Sequence, residues 1–190
     1  MKRELVYKIF SDIPTLKTDR LTLRALRSDD AADMFEYASR DDVTEFLLWS
    51  SHKEASYTRD YLRYVESRYA VGDFYDWAIT LTESGKMIGT CGFAAIDTVN
   101  NSGELGYVLN PSYHGRGIAS EAASAVMEFG FSTLGMHRIE ARFMVGNEPS
   151  RKVMERLGMS FEGFSADAIF VKGEYKTVGK YAILTSDFGK

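Results

Sequence analysis

The 190 residues include one cysteine and three prolines, and nowhere carry a long apolar run. A lone thiol at Cys91 cannot close an internal disulfide, and His52, His114 and His137 do not fall at zinc-ligand spacing. Neither a disulfide scaffold nor a metal module is therefore expected. Basic charge is in short supply too: 23 Lys and Arg stand against 27 Asp and Glu, a formal charge of −4. That balance gives no electrostatic footprint for nucleic acid or for an anionic membrane surface. Apolar runs stay below the ~18 residues of a membrane span, and the opening MKRELVYKIFSDIP is too weakly apolar for a secretory signal. A cytoplasmic location follows as an expectation. With no linker, repeat or low-complexity stretch, residues 1–190 are expected to form one domain, large enough to bury roughly 70% of the surface of the unfolded chain.

What is present is a mixture of two periodicities. Leu21 and Leu23 alternate with polar residues over Arg20 to Ala25, predicting a strand. Ala31, Met34, Phe35 and Ala38 then fall on one helical face, with capping oxygens offered by Ser28, Asp29 and Asp30. Tyr57, Tyr61, Val65 and Tyr69 mark a second helix, its aromatic face expected to pack in the core rather than to line a cleft. Strands over Asp76 to Thr82, Met87 to Ile96 and Glu104 to Asn110, joined by turn sequences, predict an antiparallel meander. A helix from Gly117 to about Leu134 follows, then a strand over Arg138 to Val145 and a helix over Glu148 to Leu157 stopped by Gly158. A hairpin of Ser160 to Val171 and Tyr175 to Leu184 completes an α+β arrangement.

The chemistry concentrates in Asn110-Pro-Ser-Tyr-His-Gly-Arg-Gly-Ile-Ala-Ser-Glu. Gly115 and Gly117 separate a strand end from a helix start, where the first N–H groups lack an internal acceptor, so an anion such as phosphate is the natural ligand. No Gly-Lys pair is followed by Ser or Thr, which excludes a triphosphate-binding loop. A dinucleotide fingerprint is matched only in part, because Ser120 stands at the third glycine position. The turn also follows an antiparallel meander rather than opening a parallel unit, although Glu140 is available as a ribose-binding acid. A nicotinamide-dependent enzyme is thus a weaker alternative.

His114-Gly115-Arg116-Gly117-Ile118-Ala119 resembles the Q/R-x-x-G-x-G/A coenzyme loop of the GNAT superfamily of acetyl-CoA-dependent N-acetyltransferases, with His114 in place of the usual Gln or Arg. Asn147-x-x-Ser150 followed by Leu157-Gly158-Met159 resembles the next motif of that superfamily. Thr18-Asp-Arg-Leu-Thr-Leu-Arg, Met87-Ile-Gly-Thr-Cys-Gly and Glu104-Leu-Gly-Tyr-Val extend the likeness to its RimJ/RimL-like branch, the ribosomal-protein N-acetyltransferases. The resemblance implies a mostly antiparallel mixed sheet flanked by helices, with splayed central strands admitting the pantetheine arm of acetyl-CoA, the cosubstrate.

It further implies coenzyme contacts at Val108, Leu109, His114, Gly115, Arg116, Gly117, Ala119, Ser120 and Asn147. Ser150 is implied as the proton donor to the departing thiolate, since the tyrosine that many relatives carry four residues later is Met154 here. Glu104 is the candidate base, acting directly or through water, with Glu162 and Asp167 in reserve. Asn147 has a structural alternative as a helix cap and Glu104 as a solvated acid. The partner is an amine acceptor, a protein N-terminus or a small amine, with monomer and dimer both open. A coenzyme-binding module without turnover stands as an alternative from another class.

Overall fold

The computed structural model describes residues 1–189. Its helices are α1 Arg3–Phe10, α2 Ala31–Ala38, α3 Asp41–Thr44, α4 Ala55–Tyr69, α5 Ile118–Ser132 and α6 Glu148–Arg156. Its strands are β1 Leu16–Lys17, β2 Leu21–Arg24, β3 Asp76–Leu81, β4 Met87–Asp97, β5 Ser102–Leu109, β6 Arg138–Met144, β7 Ser160–Val171 and β8 Glu174–Leu184. They form one eight-stranded sheet in the order β1-β2-β3-β4-β5-β6-β8-β7. Every neighbouring pair is antiparallel except β5 and β6, which run parallel. This is the expected α+β architecture. Among the described residues no helix is long and apolar enough to cross a membrane.

Two cores clothe the central sheet. On one face Val6 and Phe10 of α1 and Val126 and Phe129 of α5 pack with Trp77, Ile79 and Leu105. Phe10, Trp77 and Phe129 meet edge to face, with centroids 5.4–6.2 Å apart. On the other face Met34 and Tyr37 of α2 pack with Leu62 and Val65 of α4 and with Ala78 and Met87. Central β3 is buried on both faces from Trp77 to Thr80, whereas β2 buries only alternate residues, Leu21 and Leu23.

The start of α2 differs from the capping expected of it. Asp30 makes no side-chain cap to α2; its carboxylate instead accepts from Arg24 at 2.6 and 2.8 Å and from the Arg27 N–H at 2.9 Å. The Arg24 guanidinium and the Arg27 amide together occupy this nearly buried carboxylate and turn it away from the first amides of α2. At α6 the cap is as expected: Asn147 Oδ1 accepts the Ser150 N–H at 3.2 Å, and Gly158 follows the helix in the left-handed region at φ 74°.

Candidate active site

The sheet opens at its centre. β5 pairs with β6 only from Ser102 to Leu105, while it stays paired with β4 as far as Leu109. β6 continues against β8 as far as Met144. Past Leu105 and Ala141 the two parallel strands therefore splay, and the main-chain groups of Gly106 to Leu109 on that side are released from sheet pairing. Freed backbone donors and acceptors lining a slot suit an extended amide-bearing chain.

At the end of β5 the chain turns through a short 3₁₀ segment, Pro111–Tyr113, into α5. Gly115 and Gly117 both take positive φ, 73° and 74°, and Gly115 has no atom within 4 Å of the position a Cβ would occupy. Gly117 caps α5 without a side-chain bond, and the first helical hydrogen bond runs from the Glu121 N–H to Gly117 O at 3.0 Å. The N–H groups ahead of Glu121 thus have no acceptor one turn back, and the Oγ of Ser120 is buried without a partner. This cradle fits a pyrophosphate. His114 Nε2 lies 3.0 Å from Leu109 O, tying the loop to the strand end. Arg20 donates to Arg116 O at 3.0 Å and pairs with Glu121 at 2.5 Å, placing a cation beside the loop.

Where the strands splay, a cavity of about 570 Å³ passes between the sheet and the α2–α4 layer. Glu104, Val108, Asn147, Ser150 and Met154 line it together with Tyr107 and Arg142. Tyr107 OH is 3.1 Å from Ser150 Oγ and 3.0 Å from Ser150 O, joining β5 to α6 across the slot. Burial pushes the Tyr107 phenol above its ordinary range, opposed by its bond with Ser150. Glu104 accepts from Arg142 through both oxygens, at 2.8 and 2.7 Å.

The wall opposite is aromatic: Trp49, His52, Tyr57, Tyr61 and Phe74 line the cavity. Burial lowers the pKa of His52, whose Nδ1 lies 2.8 Å from Thr58 Oγ1, and its ring meets those of Trp49, Tyr57 and Tyr61. Asp76, at the start of β3, also lines this space, and its Oδ1 is buried without a partner. Burial raises the Asp76 carboxyl to about 7, against hydrogen bonds from Thr90 and the Trp77 N–H.

The sequence-predicted residues fall into two groups. Glu104, Val108, Asn147 and Ser150 meet in the cavity, whereas His114, Gly115, Arg116, Gly117, Ala119 and Ser120 surround the loop and the first turn of α5. Leu109, 7% exposed, turns into the core beside Gly89 and offers its carbonyl to His114. The reserve acids lie elsewhere: Glu162 pairs with Arg138 at 2.5 Å, and Asp167 sits exposed on β7. Sequence reasoning missed Tyr107, Asp76, Arg20 and the aromatic wall. Tyr57 and Tyr61 belong to that wall, correcting the expectation of a wholly packed face, while Val65 and Tyr69 do enter the core.

Comparison with known proteins agrees with this geometry. Residues 20–160 match the family model described as an acetyltransferase (GNAT) domain. The chain is 33% identical over 174 residues to the uncharacterized N-acetyltransferase p20 of Bacillus licheniformis, covering 92% of this chain and 98% of that one. It is 25% identical over 187 residues to the [ribosomal protein uS5]-alanine N-acetyltransferase of Escherichia coli K12, covering 94% and 95%. The crystal structure of a GNAT-family acetyltransferase from Bacillus anthracis superposes with a TM-score of 0.82 at 29% identity, over 91% of this chain and 99% of that one. These matches replace both the nicotinamide alternative and the reading as a module without turnover. The chain belongs to the GNAT family and is an acetyl-CoA-dependent N-acetyltransferase.

Proposed function

We propose that this enzyme acetylates the α-amine at the N-terminus of a protein or peptide, as a single cytoplasmic catalytic domain. The observation that carries the reading is the acceptor side of the cavity, which is apolar and aromatic and, among the described residues, carries Asp76 as its one acid without a cation partner. Glu104 is held by Arg142, and Asp73, also on the cavity wall, is held by Arg68. Such a wall suits the chain following one amine better than a polyamine. The chemistry favours the same acceptor. At pH 7.5 a lysine of pKa ~10.4 gives up its proton at a cost of about 4 kcal/mol, an α-amine of pKa ~7.8 at well under 1. The similarity to a uS5-alanine acetyltransferase supports an N-terminal acceptor.

In this reading the N–H groups of Gly115, Arg116, Gly117 and Ala119 hold the coenzyme pyrophosphate, with His114 and Ser120 completing the loop. Released main chain at Gly106 to Leu109 meets the pantetheine, flanked by Val108 and faced by Asn147 across the slot, while the Leu109 side chain stays in the core. A backbone N–H there also stabilises the developing oxyanion. Ser150 supplies a proton to the departing thiolate and is resupplied through Tyr107, 3.1 Å away. Glu104 acts by holding Arg142 rather than as a base, because both of its oxygens are engaged.

The test is acetyl-CoA turnover with alanine- and serine-initiated peptides, against the same peptides blocked at the N-terminus and carrying an internal lysine. Free α-amines are expected to react at least tenfold faster. Faster acetylation of the lysine peptides, or no turnover of either set, overturns the proposal.

A further inference from the structure

Asp76 takes part in no step of the reading above, yet it occupies a built position in the cavity. It registers with Gly92 of β4, and Gly92 registers with Gly106 of β5, so the three residues form one row across the sheet. They share the face that carries Ala78, on the α2–α4 side. Two of the three have no side chain. A Cβ built at Gly92 would overlap Tyr75 O and lie 2.7 Å from Asp76 Oδ1, so the carboxyl and the β3 main chain occupy the space that a side chain at that position would need. A Cβ built at Gly106 would meet nothing nearer than Ala94 Cβ at 3.9 Å, so the next place in the row is open. Gly106 is also the first β5 residue past the last β5–β6 pairing, where the slot begins.

We propose that Asp76 receives the ammonium of the acceptor and takes its proton, making it the general base of acetyl transfer. The inference rests on the proposed amine acetylation and supplies the group that reading lacks. Neighbouring strands are about 4.8 Å apart, so Gly106 lies two spacings, about 9.6 Å, from Asp76, and a nitrogen lodged between Gly92 and Gly106, against the mouth of the slot, reaches the carboxyl directly or through one water. The titratable groups around Asp76 are Tyr37 from α2 and Tyr61 and Tyr69 from α4 on its own face, with Cys91 of β4 on the opposite face of the sheet, all kept neutral by burial. Among the described residues no cation pairs with Asp76, so an incoming ammonium is the counter-ion its unpartnered oxygen lacks.

The protons balance. The ammonium gives one proton to the Asp76 carboxylate, and the free amine attacks the thioester carbonyl. A C–N bond forms, the C–S bond breaks, the thiolate takes a proton from Ser150, and the nitrogen's second surplus proton passes to water in the cavity while Ser150 is resupplied through Tyr107. Asp76 returns its proton to solvent. A carboxyl raised to about 7 is matched to this duty near neutral pH, where a base of ordinary aspartate strength would compete poorly for the proton.

The experiment compares the parent with Asp76→Asn on two peptides of the same sequence. One starts with alanine. The other starts with trifluoroalanine, whose amine the fluorines keep unprotonated at neutral pH. Initial rates of CoA release are read at pH 7, together with acetyl-CoA affinity by calorimetry. Asp76→Asn is expected to lower kcat for the alanine peptide by about sixfold at pH 7, the factor by which an amine of pKa ~7.8 is short of its free form, to leave acetyl-CoA affinity within a few fold, and to leave the trifluoroalanine peptide within twofold. An equal defect on both peptides assigns Asp76 a structural role and overturns the proposal, as does a rate on the alanine peptide within twofold of the parent. If the parent acetylates neither α-amine, the acceptor reading fails as well. Gly106→Val provides an independent check should the amide variant misfold. By filling the open place in the row it is expected to raise KM for the alanine peptide at least tenfold with Asp76 intact, and an unchanged KM also overturns the proposal.

Discussion

Replacing Asp76 with asparagine should stabilise the protein in alkaline solution far more than in acid. The folded carboxyl titrates near 7 because burial disfavours its charge, against an ordinary value of 3.8. Between those values the unfolded chain has released this proton while the folded chain keeps it. The unfolded state binds fewer protons there, so stability falls as pH rises from about 3.8 to 7 and levels off above. Each unit of separation corresponds to about 1.4 kcal/mol, so the ionised carboxylate costs the folded state up to about 4 kcal/mol at pH 8.5 and about 1 at pH 4.5. Asparagine removes that cost and introduces another. The Thr90 and Trp77 bonds hold one side of the group, while Oδ1 has no partner. The amide nitrogen falls on the unpartnered side, leaving a buried donor unsatisfied at about 1–3 kcal/mol. That second cost is independent of pH. The difference between the two pH values is therefore the clean quantity, up to about 3 kcal/mol in favour of the variant at pH 8.5. Urea unfolding of parent and variant at pH 4.5 and 8.5 measures it, and for a domain of this size ~1 kcal/mol also moves the melting midpoint by ~2–4 °C. A stability difference that does not change between the two pH values would refute the buried, uncompensated carboxyl.

Three further outcomes are expected. Ser150→Ala and Tyr107→Phe should each lower kcat by about 10–100-fold in a CoA-release assay with little change in acetyl-CoA affinity, and the double variant should be no worse than the more damaged single one, because the two hydroxyls form one relay; additive losses would separate them. Gly117→Asp should weaken CoA binding at least tenfold by calorimetry while circular dichroism stays unchanged, since it sets a carboxylate against the pyrophosphate cradle at φ 74°; Arg20, whose Nη2 lies 3.7 Å from the new Cβ, moderates the loss, and affinity within threefold contradicts the cradle. Gly130→Ala should destabilise by about 1–3 kcal/mol in urea with kcat retained, because its Cβ would meet Phe93 Cζ at 2.8 Å and Ile139 Cδ1 at 3.0 Å, and an unchanged midpoint would show that this core yields.

Most of the sheet was legible in the sequence because its strands are apolar or β-rich runs bounded by turn residues, with period-two alternation at β2. The meander of β3, β4 and β5, the long α5 and the capped α6 sit within two residues of their expected bounds. α1, β1 and α3 were not legible; two and four residues give β1 and α3 too little repetition to separate a face from chance, and α1, as long as α2, lacks the run of capping residues that marks the start of α2. α1 is fixed instead by docking, with Val6 and Phe10 buried against the sheet. The aromatic face of α4 failed for a geometric reason. Residues four apart advance about 400° around a helix, so a stripe at that spacing drifts about 40° per step and about 120° from Tyr57 to Tyr69. The first two rings accordingly look into the cavity and the last two residues into the core.

The site divides along a similar line. The coenzyme loop was legible because consecutive residues make it: two glycines, a strand end and a helix start are one local signal. The acceptor side is assembled across register. Asp76, Gly92 and Gly106 lie in three different strands and become neighbours only once two hairpins close with the observed pairings. Read singly, each glycine only weakens a strand, and Asp76 is an acid at a strand start. Glu104, which does carry a family signal, shows the converse. Its place at the slot is right for chemistry, but Arg142 lies two residues beyond its register partner Glu140 on β6 and closes on it through two hydrogen bonds. A carboxylate held by a guanidinium is a poor proton acceptor, whereas one buried beside neutral tyrosines binds a proton more tightly. The two acids at this cavity are driven in opposite directions by what stands beside them, and it is this contrast, absent from either residue's local sequence, that assigns the holding of Arg142 to Glu104 and the proton to Asp76.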